Sequence, residues 1–233
     1  MPFLDRDGVA VHYEPGTPNG RTPVLLTHGF GSSAGMWTPN LPALAAYRQV
    51  ITWDIRGHGR SAAPDDPARY SEELSLGDMA AVLDAAGAGQ AIVGGLSLGG
   101  YLSLAFHRRH PGRVAALLLF DTGPGYRRDE AREQWNRRVE ETAAASPRAL
   151  ALAARGIMAQ HGPDVIDSLP AIRVPTLVLV GADDRPFLAP ADYMAAKIPG
   201  AVKVVLEGAG HVASADQPEA FDRAVLDFLA AID

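Results

Sequence analysis

Residues 95–99 read Gly-Leu-Ser-Leu-Gly, a G-x-S-x-G stretch from which the rest of the chain can be interpreted. It lies between an apolar run at 90–95, which predicts a buried strand, and a helical pattern at 97–109. A serine at such a strand–turn–helix junction is held in a strained conformation that lifts its hydroxyl clear of the sheet. Small residues on either side, here Gly95 and Gly99, let the two backbones approach closely. Ser97 is therefore a candidate nucleophile.

The glycines around this serine also suggest a phosphate-binding loop, but their spacing argues against one. Gly94, Gly95, Gly99 and Gly100 do not fit G-x-G-x-x-G, and no Gly-Lys-Ser/Thr follows them. A purely structural tight turn remains as the alternative to a nucleophile.

Short β-rich runs alternate with longer helical patterns along the chain. Strands are predicted at residues 9–14, 23–27, 48–54, 90–95, 114–121, 174–181 and 201–207, the first of them as an edge strand. Helices are predicted at residues 74–86, 97–109, 191–198 and 218–231. This alternation predicts an α/β fold, with a mostly parallel sheet covered by helices on both faces.

One segment breaks the alternation. Residues 123–170 have no strand pattern and two helical patterns, at 129–142 and 147–160. We interpret this segment as a short helical lid inserted into a core formed by residues 1–122 and 171–233. We refer to residues 123–170 as the lid segment.

Two details of the lid segment can be predicted. Ser146 is expected to cap the second helix, with Pro147 at its first position. The largest apolar residues of the segment either line a substrate pocket or, as is more common for such stripes, belong to the core; they are Trp135, Leu150, Ile157 and Met158. Trp135 and Met158 are the candidate pocket residues. Both interpretations are left open.

Composition limits the classes of protein to consider. The 233 residues contain no cysteine, which excludes disulfides, a thiol nucleophile and Cys-ligated zinc. A net charge of −6 argues against nucleic acid as a partner. No apolar run approaches the length of a membrane span, and the first residues are too polar for a signal peptide. We expect a soluble, cytoplasmic protein without a membrane partner, and leave its oligomeric state open.

A second glycine-containing loop, His-Gly-Phe-Gly at residues 28–31, follows the predicted strand 23–27. Backbone N–H groups in such a loop can hold the oxyanion that develops during acyl transfer. The expected donors of this oxyanion hole are the N–H groups of Phe30 and Leu98. His28 is expected to brace the loop rather than to react.

Two further segments supply a carboxylate and a histidine. Asp184 follows the strand at 174–181, and His211 follows the strand at 201–207. The order Ser97, Asp184, His211 is that of one family of catalytic triads, and strand ends at this edge of the sheet are where ligands bind. Asp183 and Asp121 are alternatives to Asp184, although Asp121 could instead brace the turn into the lid segment.

Taken together, the motifs resemble the α/β-hydrolase superfamily, and more narrowly its esterase, C–C hydrolase, enol-lactonase and perhydrolase-like branch. The matching segments are residues 28–33, 54–61, 95–100, 181–184 and 208–211. The resemblance implies a nucleophile at Ser97, a base at His211, an orienting acid at Asp184, and an oxyanion hole from Phe30 and Leu98. In this branch the Arg-Gly-His-Gly turn at 56–59 mostly shapes its loop, and the implied chemistry uses no cofactor and no metal.

The function expected from these residues is that of a serine hydrolase acting on a small ester through an acyl-enzyme. Hydrolysis of C–C bonds or lactones, or perhydrolysis, would use the same residues. A ligand-binding receptor or signalling protein on the same fold is the alternative from another class. Five lid arginines could attract an anionic substrate, although a solvated helix face is the simpler interpretation. They are Arg127, Arg128, Arg132, Arg137 and Arg138.

Overall fold

An eight-stranded sheet runs through the computed structural model, which describes residues 2–233. The strands are β1 (Phe3–Arg6), β2 (Val9–Glu14), β3 (Val24–Thr27), β4 (Val50–Trp53), β5 (Ala91–Leu96), β6 (Val114–Phe120), β7 (Thr176–Gly181) and β8 (Val202–Leu206). Their order across the sheet is β1-β2-β4-β3-β5-β6-β7-β8. Strands β3 to β8 pair in parallel, whereas β2 pairs antiparallel with both of its neighbours, β1 and β4. The predicted mostly parallel sheet is confirmed.

Helices cover both faces of this sheet. They are α1 (Leu41–Tyr47), α2 (Glu72–Ala85), α3 (Leu98–Arg109), α4 (Asp129–Ala144), α5 (Arg148–Ala153), α6 (Asp164–Ser168), α7 (Arg185–Lys197), α8 (Ala213–Asp216) and α9 (Pro218–Ala231). Strand side chains alternate between two cores: Leu25 packs with α2 and α3, whereas Val24 and Leu26 pack with α1 and α9. Among residues 2–233, no helix is long and apolar enough to span a bilayer.

The edge of the sheet differs from the prediction. The strand Val9–Glu14 was expected at the edge, but Phe3–Arg6 pairs outside it, so this prediction is wrong. The two strands are joined by Asp7 and Gly8, whose φ angles are 55° and 81°. Positive φ at both positions is typical of a type I′ hairpin turn, for which Asp-Gly is a strong sequence signal. Because β1 is short and partly polar, it lacks the apolar pattern from which the other strands were predicted.

The lid segment lies between β6 and β7 and contains α4, α5, α6 and a π-helical turn at Ala154–Met158. The helix expected at 147–160 is present as α5 followed directly by this π-helical turn. A β-carbon at Gly156 would lie 2.3 Å from the carbonyl oxygen of Tyr70, so the backbone packs directly on a loop of the core. π-Helical turns of this kind are frequently found at functional sites.

The predicted cap of the second lid helix is also wrong. Pro147 occupies the cap position and makes no side-chain capping bond. Ser146 instead donates its hydroxyl to the carbonyl oxygen of Thr142, at 2.7 Å. This hydroxyl supplies a hydrogen-bond donor to a carbonyl group at the end of α4. Carbonyl groups at the end of a helix lack partners within the helix, as do the N–H groups at its start.

Three backbone segments meet without intervening side chains where β5 turns into α3. A β-carbon added at Gly99 would lie 2.2 Å from the carbonyl oxygen of Thr27, and one added at Gly95 would lie 2.4 Å from the same atom. Contacts this short with a backbone atom cannot be relieved by rotating a side chain. Strand β3, strand β5 and helix α3 are therefore held together by two positions that only glycine fits.

We predict that Gly99→Ala lowers the free energy of unfolding by about 2 kcal/mol or more, because the added methyl group overpacks a backbone contact. The matched control is Gly112→Ala, where a β-carbon would meet nothing within 4 Å. Urea denaturation of both variants measures the difference. Equal midpoints for the two variants would show that the contact at Thr27 tolerates a side chain.

Candidate active site

Ser97 stands between β5 and α3 in a strained backbone conformation, with φ 54° and ψ −114°. Its N–H donates to the carbonyl oxygen of Phe120 at 2.9 Å, and its own carbonyl accepts from the Thr122 hydroxyl at 2.6 Å. The helix begins at Leu98, so Ser97 is the residue before the helix rather than its first residue. The positive end of the helix dipole therefore lies next to the serine, where it favours developing negative charge.

His211 and Asp184 lie together at the carboxyl ends of β8 and β7. The Nδ1–H of His211 donates to Oδ2 of Asp184 at 2.8 Å. The carboxylate is buried, with 4% of its side chain exposed, whereas 41% of the histidine side chain is exposed. Because a carboxylate only accepts, this bond places the proton of a neutral ring on Nδ1 and leaves Nε2 free to accept a proton. This is the arrangement that a general base requires.

The ring of Phe187 stacks on that of His211, with centroids 4.9 Å apart and planes 27° apart. The Ser97 hydroxyl makes no hydrogen bond with the histidine or with any other residue among residues 2–233. The structure thus brings His211 and Asp184 together without yet joining them to the serine. In unliganded sites such bonds are often long and tighten only when substrate binds.

The two alternative carboxylates have other partners. Asp121 is fully buried and accepts from the N–H groups of Gly181, at 2.8 Å, and Ala213, at 3.4 Å. Burial raises the pKa of Asp121 to about 7, so much of it is uncharged at neutral pH and stabilises an imidazolium poorly. The expected bond from Asp121 into the lid turn is wrong, because the carboxyl instead joins β6 to β7 and to α8. Asp183 is exposed.

The loop after β3 is braced by His28, as predicted. Its ring is fully buried, donates through Nδ1 to the Gly29 carbonyl at 2.7 Å and accepts from the Ile55 N–H at 3.0 Å. Burial, with a smaller contribution from the neighbouring His58, lowers the pKa of His28 to about 4. The ring is therefore neutral at physiological pH and holds the backbone on both sides of the loop that carries Phe30.

The turn at residues 56–59 is part of the framework. Arg56 is buried and donates from Nη2 to Asp78 at 2.8 Å. The His58 ring donates to the Arg56 carbonyl at 3.0 Å and meets the edge of the Phe30 ring, with centroids 5.4 Å apart. These contacts confirm that the turn shapes its loop.

Ser97 opens into a cavity of about 360 Å³, a size suited to a small organic molecule. Its walls are mostly apolar and include both expected oxyanion donors and both expected lid residues. The lining residues are Phe30, Ser97, Leu98, Tyr101, Thr122, Gly123, Pro124, Gly125, Tyr126, Trp135, Arg138, Met158, Gln160, Pro186, Phe187 and Pro190. Among residues 2–233, no cluster of His, Asp and Glu side chains could hold a metal ion.

The lid wall of this cavity is fixed by hydrogen bonds between α4 and residues 158–160, where the π-helical turn ends. Asn136 donates to the Gln160 carbonyl and accepts from the Gln160 N–H, both at 2.9 Å. The Trp135 indole donates to the Met158 carbonyl at 2.8 Å. By contrast, Ile157, the residue directly before Met158, is fully buried in the core.

Sequence reasoning missed several lining residues. Phe187 lies in the first turn of α7, which begins at Arg185 and not at the expected residue 191. Pro186 and Pro190 obscured this helix in the sequence. Proline is well tolerated at the helix start, where Pro186 lies, whereas Pro190 lies inside the helix. No local pattern singles out Gln160 or Tyr126, since only the folded lid segment brings them to the cavity.

Comparisons with known proteins identify the fold family of the chain. A family model described as the alpha/beta hydrolase fold matches residues 22–164. RutD of Azorhizobium caulinodans, named as a carbamate hydrolase, is 31% identical over the whole of both chains. The enol-lactonase of Burkholderia xenovorans LB400 superimposes with a TM-score of 0.83 at 27% identity, covering 98% of this chain and 100% of that one. A thermophilic esterase from Thermogutta terrifontis gives 0.84 at 31% identity, covering 96% and 94%. The chain belongs to the α/β-hydrolase fold family, and it is a hydrolase.

Proposed function

We propose that this hydrolase cleaves small carboxylic esters through an acyl-enzyme formed on Ser97. The observation that carries the proposal is the bond between His211 and Asp184, at the same sheet edge as the strained serine. A histidine whose Nδ1 is occupied by a buried carboxylate, and whose Nε2 is free, can remove the proton of a serine hydroxyl.

In the first half of the reaction, Ser97 attacks the ester carbonyl while His211 takes the hydroxyl proton. The carbonyl oxygen becomes an oxyanion, which the N–H groups of Phe30 and Leu98 hold. Asp184 stabilises the positively charged imidazolium that forms. His211 then returns the proton to the departing alcohol, which leaves the acyl group on the serine.

In the second half, a water molecule attacks the acyl-enzyme. His211 takes a proton from this water, the same two N–H groups hold the second oxyanion, and the acid departs as the serine recovers its proton. The proposed cycle needs no cofactor.

Lactone hydrolysis is the second candidate, because a lactone is a cyclic ester and would react by the same steps. The similarity to the enol-lactonase of Burkholderia xenovorans favours it, and the similarity to a protein named as a carbamate hydrolase favours another acyl derivative. A screen of p-nitrophenyl esters of graded chain length, with lactones and carbamates alongside, separates these substrates. A receptor on this fold would bind them without turnover.

We predict that a fluorophosphonate forms one adduct, on the peptide that contains Ser97, because this is the serine that the site would activate. Mass spectrometry of the digested protein locates the adduct. Ser97→Ala should abolish both labelling and ester turnover, whereas Ser103→Ala, in the helix α3 that follows Ser97, should remain labelled. Labelling of the Ser97→Ala variant at an undiminished rate would identify another nucleophile.

We predict that Asp184→Asn lowers kcat by about 10⁴-fold while the fold is kept, because the wrong imidazole tautomer would then face the serine. Asp121→Asn keeps an acceptor for the Gly181 N–H, and Asp183 is exposed. Both of these variants should stay within about tenfold of the unmodified enzyme.

Circular dichroism and kcat, measured on the three Asp→Asn variants together, check this assignment. An inactive, folded Asp121→Asn beside an active Asp184→Asn would assign the orienting acid to the end of β6.

We predict that Trp135→Ala and Met158→Ala change the preference among acyl chain lengths more than they change Tm, because both side chains line the cavity. Ile157→Ala is the matched control from the buried core, and it should lower Tm while reducing all substrates equally. The same p-nitrophenyl ester series and thermal melts measure both effects. A uniform loss of activity in the first two variants, with a lowered Tm, would place these residues in the core instead.

A further inference from the structure

We infer that the lid wall of the cavity contains a carboxylate-binding subsite formed by Arg138 and Gln160. The preferred substrates are then esters or lactones that carry a second, ionised carboxylate away from the reacting carbonyl. This inference rests on the proposed function for the reaction, but its binding step can be tested separately.

Arg138 is the only charged side chain lining the cavity, and no aspartate or glutamate of the described residues lines it. It lies one turn after Trp135 on α4, so both residues face the same side of the helix. A substrate carboxylate bound in the cavity would therefore meet a cation and no competing anion.

The side chain of Arg138, like those of Arg128 and Arg137 of the lid segment, has no ion pair or hydrogen bond with any residue that the structure describes. By contrast, Arg127 pairs with Asp167. The five N–H donors of the Arg138 guanidinium are therefore available to a ligand. A planar guanidinium matches a carboxylate with two parallel hydrogen bonds.

Gln160 supplies a second donor on the same wall. It is 8% exposed, and its side-chain Oε1 accepts from the Tyr126 N–H at 3.2 Å. Because that N–H needs an acceptor, the bond fixes the orientation of the amide and leaves Nε2 as the donor. This Nε2 has no partner among residues 2–233, and Gln160 lines the cavity.

Arg138 is exposed, whereas Gln160 is buried and the remaining walls of the cavity are largely aromatic and aliphatic. The proposed subsite therefore combines a solvent-accessible cation with a buried hydrogen-bond donor. The chain as a whole carries a net charge of −6, which repels anions, so an anionic substrate needs a local cation where it enters.

The binding step is tested on the Ser97→Ala variant, which cannot turn over an ester by the proposed route. The probes are the monomethyl esters of succinate, glutarate and adipate, each compared with the neutral compound in which carboxamide replaces the carboxylate. Binding is followed by tryptophan fluorescence, since Trp135 lines the cavity while Trp37 and Trp53 are fully buried. At least one acid should bind about tenfold more tightly than its amide.

Two substitutions in the Ser97→Ala background locate the subsite, and a third is the control. Arg138→Met should remove the preference for the acid, and Gln160→Glu should weaken the binding of the acid because it replaces a donor with an anion. Arg137→Met is the matched control, since Arg137 is exposed like Arg138 but does not line the cavity. Equal binding of acid and amide, or an equal effect of the Arg137 and Arg138 substitutions, would overturn the inference.

Hydrolysis of the same esters by the unmodified enzyme separates this inference from the proposed function. The ratio of kcat/KM for the acid to that for its amide should fall about tenfold in Arg138→Met. If the acids bind through Arg138 but no ester is cleaved, the subsite stands and the esterase proposal fails. If the esters are cleaved with no preference for the acid, the esterase proposal stands and the subsite is wrong.

Discussion

The approach of β3, β5 and α3 to one another is the constraint on which the site depends. The carbonyl oxygen of Thr27 lies so close to the backbones of Gly95 and Gly99 that no β-carbon fits at either position. The chain between them must turn within a few residues, and Ser97 takes a left-handed conformation that costs on the order of 1–3 kcal/mol. Two hydrogen bonds hold the serine in this conformation: its N–H donates to the carbonyl of Phe120, and its carbonyl accepts from the hydroxyl of Thr122. Packing of the sheet therefore sets the direction of the hydroxyl, before any substrate arrives.

A second histidine–carboxylate pair in this chain shows what distinguishes the pair formed by His211 and Asp184. His12 donates through Nδ1 to Asp54 at 3.0 Å, much as His211 does to Asp184. However, only 3% of the His12 side chain is exposed, and its Nε2 is engaged by Glu14 at 3.2 Å. Both nitrogens of that ring are occupied, so it can neither take nor give a proton to a ligand. His211 keeps Nε2 free and has an exposed ring, so the difference lies in the unoccupied nitrogen and not in the carboxylate.

The sequence predicts the features of this molecule that depend on residues close together in the chain. Strands β3 and β7 are buried on both faces and read as unbroken aliphatic runs, so the parallel sheet follows from periodicity. The outermost strand was missed because its signal was the Asp7-Gly8 turn rather than an apolar pattern. The role of Asp121 was also misjudged, since its partners on Gly181 and Ala213 are distant in the chain. Likewise, periodicity separates helix from strand, but it does not reveal which side chains of the lid segment meet around a cavity.

The lid segment explains why a common core can serve different substrates within one fold family. Surface ion pairs such as that of Arg155 with Glu140 contribute little to holding the segment in place. The reciprocal bonds between Asn136 and Gln160 do more, because they satisfy polar groups that are partly buried and cannot all reach water. They join α4 to the residues that follow the π-helical turn and so fix the side chains that α4 presents to the cavity. Ser97, Asp184 and His211 follow strands of the sheet, whereas the lid wall of the cavity comes from a segment with its own internal bonds. Substitutions in that wall can therefore alter substrate choice while leaving the geometry at Ser97 intact, which is the separation that allows one fold to host many hydrolases.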